Sequence, residues 1–113
     1  MTKRKIEAHE GSGNVFADLG LKDADGLAVK ADILIELRRL IKERGLTQVK
    51  AAKIVGVSQP DLSRLLRGGG FGDYSTERLL KMLTAFDRDI EIVVRPHRKA
   101  GKRARIRLTV AAA

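Results

Sequence analysis

The stretch "TQVKAAKIVGVSQPDLSRLLRG", residues 47–68, decides the fold, because it predicts two short helices joined by a sharp turn. Thr47 and Ser58 each precede a helix-like run, and their hydroxyls can cap a helix by accepting a hydrogen bond from a first-turn N–H. Asp61 follows Ser58 by three residues, as in a capping box. Gly56 separates the two runs and favours the positive φ of a tight turn. We therefore expect helix, turn and helix in succession.

Five positions in this stretch have the spacing that a helix-turn-helix motif requires. Counted from Gln48, the fifth residue must be small, because the second helix crosses there, and the ninth must allow a sharp turn. The tenth must be apolar to fill the corner, and the fifteenth and eighteenth must bury the inner face of the second helix. The residues at these positions are Ala52, Gly56, Val57, Leu62 and Leu65. All of them fit, so the stretch predicts a helix-turn-helix motif rather than an ordinary helical hairpin.

Helical spacing continues on both sides of the motif. Residues 25–45 predict a long helix that ends at Gly45, with Glu36 among the charged residues of its outer face. The inner face of this helix is expected to carry Leu27, Ala31, Leu34, Leu37, Leu40 and Ile41. After the motif, "GGGFGDY" predicts a flexible loop, and Ser75 or Thr76 caps a last helix. The apolar side of that last helix consists of Leu79, Leu80, Met82, Leu83 and Phe86.

The hydrophobic period changes after Asp87, from helical spacing to alternation. Alternation in "DIEIVVRP" and "ARIRLTV" predicts two strands, joined by a basic loop that contains Gly101. Two strands alone are marginally stable in water, so we expect their apolar residues to pair with a second copy of the chain. The alternative is that the strands pack on the chain's own helical body. The predicted dimerisation residues are Ile90, Ile92, Val94, Ile106, Leu108 and Val110.

The segment "LTQVKAAKIVGVSQPDLSRLLRG" resembles the Cro/cI-type helix-turn-helix regulators, the XRE family, and the resemblance covers residues 27–87. The flanks "GSGNVFADLGL", "FGDYSTERLLKMLTAF" and "DRDIEIVVRP" extend it over most of residues 11–96. With these flanks the chain is similar to the compact subfamily that includes HigA-type antitoxins. The resemblance implies a dimeric, operator-binding protein and a toxin partner of the ribosome-dependent RNase kind.

These features predict a mainly α fold: a four- to five-helix Cro/cI-like helix-turn-helix domain with a C-terminal β-hairpin or strand pair used for dimerisation. We expect the DNA-binding domain at residues 25–88. Residues 1–24 form an N-terminal arm and docking segment, in which "NVFADLGL" carries apolar anchors for the core. Residues 89–113 form a basic C-terminal β-strand segment.

The second helix of the motif has an outer face that suits the edges of DNA bases. Its leucines face inward, and the N-terminal part of such a helix reaches base edges in the major groove. Glutamine can make two hydrogen bonds to adenine N6 and N7, and arginine can make two to guanine O6 and N7. The predicted base-reading residues are Gln59, Ser63 and Arg64. The alternative for each is an ordinary solvated residue on a surface helix, and the intact motif around them favours base reading.

Phosphate contacts are predicted from helix N-termini and from positive charge. Exposed amides and the helix dipole attract phosphate to the start of a helix. Residues 1–94 hold 16 Lys/Arg against 14 acidic residues, whereas residues 95–113 hold seven Lys/Arg and no acid. The predicted phosphate-binding residues are Thr47, Gln48, Lys53, Ser58 and Arg67 in the motif, and Arg98, Lys99, Lys102 and Arg103 in the basic segment. For the basic segment, an acidic protein partner and a disordered arm stay open as alternatives.

Composition argues against several other classes of function. The chain has no cysteine, and only His9 and His97 could bind a metal through imidazole, so we expect no metal and no cofactor. It has neither a nucleophile with an adjacent base nor a Walker or Rossmann phosphate loop, so we expect no enzyme. No run of about 18 apolar residues occurs, and "MTKRKIEAHEGSG" has no apolar stretch behind it. We therefore expect a cytoplasmic protein, nucleoid-associated when bound to DNA, with no membrane contact.

The sequence thus predicts a sequence-specific repressor that binds double-stranded DNA, at a palindromic operator, as a homodimer. The resemblance favours an autoregulating antitoxin with a toxin partner. One alternative is a free-standing XRE-type regulator without a toxin. The other is a protein-interaction module that uses the helix-turn-helix only as a scaffold.

Overall fold

The computed structural model describes residues 23–101 and 103–111. Within these residues the chain forms four α-helices: α1 (Ala24–Glu43), α2 (Gln48–Val55), α3 (Gln59–Leu66) and α4 (Thr76–Thr84). A short 3-10 turn, Phe71–Asp73, lies between α3 and α4. None of the helices in this part of the chain is long and apolar enough to cross a membrane. The predicted N-terminal docking segment up to residue 22, and Lys102, lie outside the described residues.

The predicted hydroxyl caps are confirmed. The Thr47 hydroxyl accepts a hydrogen bond from the Lys50 N–H at 3.2 Å, and the Ser58 hydroxyl accepts one from the Asp61 N–H at 3.1 Å. At the start of α4 the Ser75 hydroxyl accepts from a backbone N–H three residues further on, at 3.0 Å. Among the described hydrogen bonds, the Asp61 carboxylate makes no return bond to Ser58, so the capping box is only half formed. α2, α3 and α4 therefore each start where a side-chain oxygen satisfies a first-turn donor, whereas α1 starts without a side-chain cap.

The turn between α2 and α3 has the geometry that the spacing predicts. Gly56 adopts φ 82°, and its N–H donates to the Ala52 carbonyl at 2.8 Å, which closes α2. Ala52 is only 3% exposed, because α3 crosses at this point and leaves no room for a larger side chain. Leu62 and Leu65 are buried, and Val57 packs against the core from the corner. All five motif positions therefore do what the helix-turn-helix prediction requires.

The core is built around α1, which packs on α4, on α3 and on the 3-10 turn. The predicted inner face of α1 is only partly right: Leu27 and Ala31 are half-buried, whereas Val29 and Ile33 are buried. The cause is that α1 has neighbours on more than one side, so its buried stripe is wider than one apolar face. The described core consists of Val29, Ile33, Leu34, Leu37, Leu40, Ile41, Ala51, Ala52, Leu62, Leu65, Leu66, Leu79, Met82, Leu83 and Phe86.

Glu36 was expected on the outer face of α1, and that expectation is wrong, because the residue is 1% exposed. Arg39 pairs with it one turn later: Arg39 Nε lies 2.9 Å from Glu36 Oε1, and Arg39 Nη2 lies 2.8 Å from Glu36 Oε2. This bidentate hydrogen bond raises the pKa of the Arg39 guanidinium above its ordinary value. A buried carboxylate is costly unless it is paired, and Arg39 provides the pair.

The predicted C-terminal β-hairpin or strand pair is wrong, since the described residues of segment 89–111 form no strand. Instead of joining a ladder, the Ile106 N–H donates to the Asp25 carboxylate at 3.2 Å, and Leu108 packs against the helical core. Extended backbone without a partner strand gains none of the hydrogen bonds that stabilise a sheet.

We expect Gly56→Ala to lower the free energy of unfolding by ~1–2 kcal/mol, because an L side chain is strained at positive φ. A Cβ at this position would meet nothing within 4 Å, so backbone strain is the only cost. Urea denaturation measures the change. Gly72→Ala is the matched control: its added Cβ also meets nothing within 4 Å, and its φ is not in the left-handed range. Equal stability of the two variants would contradict the assignment of the turn.

Candidate nucleic-acid interface

The outer face of α3 lies on the surface and is polar. Leu62, Leu65 and Leu66 point into the core, which leaves the opposite side of the helix to polar and charged residues. Arg64 and Arg67 are exposed, and Gln59 and Ser63 are half-buried. The helix therefore has one face that holds the fold and one face that is available to a partner.

The starts of α2 and α3 are joined by a hydrogen bond between two glutamine side chains. Gln59 Nε2 donates to Gln48 Oε1 at 3.0 Å. Each of these residues is the first of its helix, so the bond holds the two first turns side by side. Gln59 keeps one N–H and its carbonyl oxygen, and Gln48 keeps both of its N–H groups. The pair thus presents donors and an acceptor in a fixed arrangement on one surface.

Further along α3, the two arginines are held differently. Arg67 Nη1 donates to Ser63 Oγ at 2.7 Å, which ties these two side chains together on the helix surface. The Arg64 side chain packs against Gly69 and Gly70, which follow α3. A Cβ built on Gly70 would lie 2.8 Å from Arg64 Nη2. The three polar residues predicted to read bases are therefore fixed by three separate contacts.

The remaining motif residues that were predicted to bind phosphate lie around the same first turns. Thr47 and Ser58 are the exposed N-caps of α2 and α3, and the Gln48 side chain lies between the two helices. Lys53 is exposed on α2. The motif thus brings together two helix N-termini and several donors, an arrangement that suits an anionic backbone.

The basic C-terminal segment makes its described contacts with the start of α1. Arg98, Lys99 and Arg103 are exposed. Arg103 Nη1 lies 3.6 Å from Asp25 Oδ2 at the start of α1, and the same carboxylate oxygen accepts the Ile106 N–H. The structure therefore anchors the segment to α1 through Asp25.

The contacts that hold the end of α3 against the rest of the fold have no signal in the sequence. Arg38 of α1 donates to the Leu66 carbonyl, one of the last carbonyls of α3. Lys30 of the same helix donates to the Gly72 carbonyl at 3.2 Å. No local pattern marks these two basic residues as partners of residues 28 or more positions away.

Fold and surface together define a helix-turn-helix protein whose second motif helix has a free polar face. A model of the helix-turn-helix domain family matches residues 15–95. The solved structure of a "Putative XRE Family Transcriptional Regulator" is 36% identical, with a TM-score of 0.65; the match covers 80% of this chain and 99% of that one. The chain therefore belongs to the XRE helix-turn-helix family of DNA-binding transcriptional regulators. A search of curated proteins finds no match for the chain.

We expect Asp25→Ala to release the C-terminal segment from α1. The Ile106 amide loses its acceptor, and its hydrogen exchange should accelerate about fivefold or more, the effect of losing a hydrogen bond worth ~1 kcal/mol. Exchange measured by NMR reports this amide directly. Asp25→Asn keeps an acceptor oxygen while removing the attraction to Arg103, so it should accelerate exchange less. Unchanged exchange in Asp25→Ala would show that the carboxylate does not hold the segment.

Proposed function

We propose that this protein is a sequence-specific repressor that reads double-stranded DNA with the outer face of α3. The observation that carries the proposal is the hydrogen bond between Gln59 and Gln48, on the exposed side of an intact helix-turn-helix motif. It holds the first residues of both helices on one surface. The family to which the chain belongs supports DNA as the ligand.

The chemistry of the Gln59 amide suits adenine. One of its N–H groups is spent on Gln48, which leaves one N–H and the carbonyl oxygen. In the major groove, adenine offers an acceptor at N7 and a donor at N6, the complement of these two groups. Arg64 has five N–H donors and suits guanine O6 and N7, and Ser63 lies between the two with a hydroxyl that can donate or accept. Each bidentate pair contributes roughly 1–3 kcal/mol of discrimination.

Phosphate contacts fix where α3 sits on the duplex. Gln48 has spent its carbonyl oxygen on Gln59 and keeps two N–H groups, which are donors only. Thr47 and Ser58 lie at helix N-termini, which favour anions, and Lys53 and Arg67 add positive charge. These five residues form a rim of phosphate-binding groups around the base-reading face.

In our proposal the basic segment adds a sequence-independent contribution. Arg98, Lys99, Lys102 and Arg103 belong to a stretch with no acidic residue from position 95 onward. Those of them that the structure describes are exposed. Such residues bind phosphates and release counterions, which makes affinity depend steeply on salt.

The active species in our proposal is a homodimer on a palindromic operator. Ile92 is 82% exposed and Val94 is 90% exposed, and Val93 between them is exposed as well. Three consecutive exposed apolar side chains support an interface with another chain. Two copies would place their α3 helices about 34–36 Å apart, one turn of DNA.

The finer role that we propose is that of an autoregulating antitoxin, supported by the likeness of the flanks "GSGNVFADLGL" and "DRDIEIVVRP" to that subfamily. The competing role is a free-standing regulator. A small basic reading frame beside the gene, whose product is toxic alone and neutralised by this chain, distinguishes the antitoxin. A regulator without a toxin has no such neighbour.

We expect selection of bound DNA from a random pool to yield a palindromic consensus. Gln59→Ala and Arg64→Ala should each weaken binding to it by roughly 5- to 150-fold, since each removes a bidentate contact. The two losses should fall at different base pairs. Lys42→Ala, at an exposed position of α1 outside the motif, is the control. Unchanged operator affinity in both interface variants would remove α3 as the reading helix and favour a protein-interaction scaffold. A consensus without symmetry would contradict the dimer.

Neutralising the four basic residues Arg98, Lys99, Lys102 and Arg103 to glutamine should flatten the salt dependence of DNA affinity. The slope of log K against log salt should fall by about one for each residue that contacts phosphate. Fluorescence anisotropy at several salt concentrations measures the slope. Lys42→Gln with Lys81→Gln serves as the control for general charge. An unaltered slope would assign the basic segment to another partner.

A further inference from the structure

The side chain of Arg64 rests on two glycines that follow α3. A Cβ built on Gly69 would lie 3.0 Å from Arg64 Cγ and 3.3 Å from the Arg64 carbonyl oxygen. A Cβ built on Gly70 would lie 2.8 Å from Arg64 Nη2 and 3.0 Å from Arg64 Cζ. The whole length of the arginine, from its stem to its guanidinium, therefore occupies space that any other residue at these two positions would fill.

The glycine loop, residues 68–70, is held by hydrogen bonds on both of its sides, and the Arg64 side chain packs on it. The Gly69 N–H donates to the Arg64 carbonyl at 2.9 Å, which folds the loop back on the residue that it supports. Arg38 holds the Leu66 carbonyl just before the loop, and Lys30 holds the Gly72 carbonyl just after it. The sequence predicts a flexible loop here, whereas in the structure α1 forms hydrogen bonds to both of its flanks.

The guanidinium itself is available to a ligand. Arg64 is exposed, and its side chain makes no hydrogen bond or ion pair with the described residues. Its five N–H donors form a rigid planar fork, and a flexible side chain binds more tightly when its bound orientation is already set. Arg67, one turn away, is held by a hydrogen bond to Ser63, whereas packing on glycine leaves every donor of Arg64 unspent.

We propose that Gly69 and Gly70 are specificity-determining positions, which set the base choice of Arg64 without touching DNA themselves. The inference rests on the proposed function, because it needs α3 to read bases. It assigns a role to two residues outside the motif. Because they have no side chain, they leave the space in which the Arg64 side chain lies, and its guanidinium is held just beyond the end of α3. A side chain at either position displaces the Arg64 guanidinium. It should therefore weaken the base preference only at the base pair that Arg64 reads.

Gly69→Ala tests the proposal, because Gly69 is not in the left-handed range and the three atoms nearest to its added Cβ all belong to Arg64. Gly70 has φ 74°, so alanine there would add backbone strain as well. Selection from a random DNA pool identifies the base pair that Arg64 reads as the one whose preference disappears in Arg64→Ala. Gly69→Ala should reduce that preference by roughly fivefold or more, the lower end for a bidentate contact. The preference lost in Gln59→Ala should stay unchanged.

Gly72→Ala is the matched control, because it lies in the same loop and its Cβ would meet nothing within 4 Å. Thermal unfolding establishes that all variants fold. In the Arg64→Ala background, adding Gly69→Ala should have no further effect on any base preference, since the arginine that it displaces is gone.

Two results would overturn the proposal: a wild-type profile for Gly69→Ala, or a loss of preference at other base pairs that Gly69→Ala causes equally with and without Arg64. Either leaves the proposed function intact, provided that the wild-type protein selects a consensus that depends on Arg64. If the wild-type protein selects none, the proposed function fails first.

Discussion

The left-handed turn at Gly56 is the constraint on which the rest of this molecule depends. It reverses the chain within one residue, and the small side chain of Ala52 lets α3 cross close to α2. That crossing buries Leu62 and Leu65, and it thereby fixes which side of α3 faces away from the core. It also brings the first residues of the two helices together, so that the glutamine pair can form. Fold and candidate site are in this sense set by the same turn.

The helix-turn-helix motif could be predicted from sequence because its determinants are local. Caps, a glycine at the turn and apolar residues at fixed spacing all act within about 20 residues of one another, and the structure confirms them. The burial of Glu36 could not be predicted, because it depends on how many elements surround α1. A charged residue on a helix is read as solvated unless the partner that covers it is known.

In the C-terminal segment the alternation of apolar and polar residues predicts strands that its described residues do not form. Ile92 and Val94 have the spacing of a strand, but a strand also needs partner backbone, which sequence pattern does not supply. In this chain the Ile106 amide turns to the Asp25 carboxylate, 81 residues earlier. The candidate site could also be predicted only in part. Helical spacing predicts which residues lie on the outer face of α3, but it does not predict their contacts with distant residues. The place of the Arg64 fork depends on the glycine loop and on its anchors in α1.

The most direct test of the central claim, that DNA meets the outer face of α3 and the start of α2, is an NMR titration of the isotope-labelled protein with its selected duplex. We expect the largest shifts in residues 47–53 and 58–67, including the side-chain amides of Gln48 and Gln59. The buried residues of α1 and α4 should show smaller shifts. Shifts confined to α4 or to the basic segment, with both glutamine amides unmoved, would contradict it.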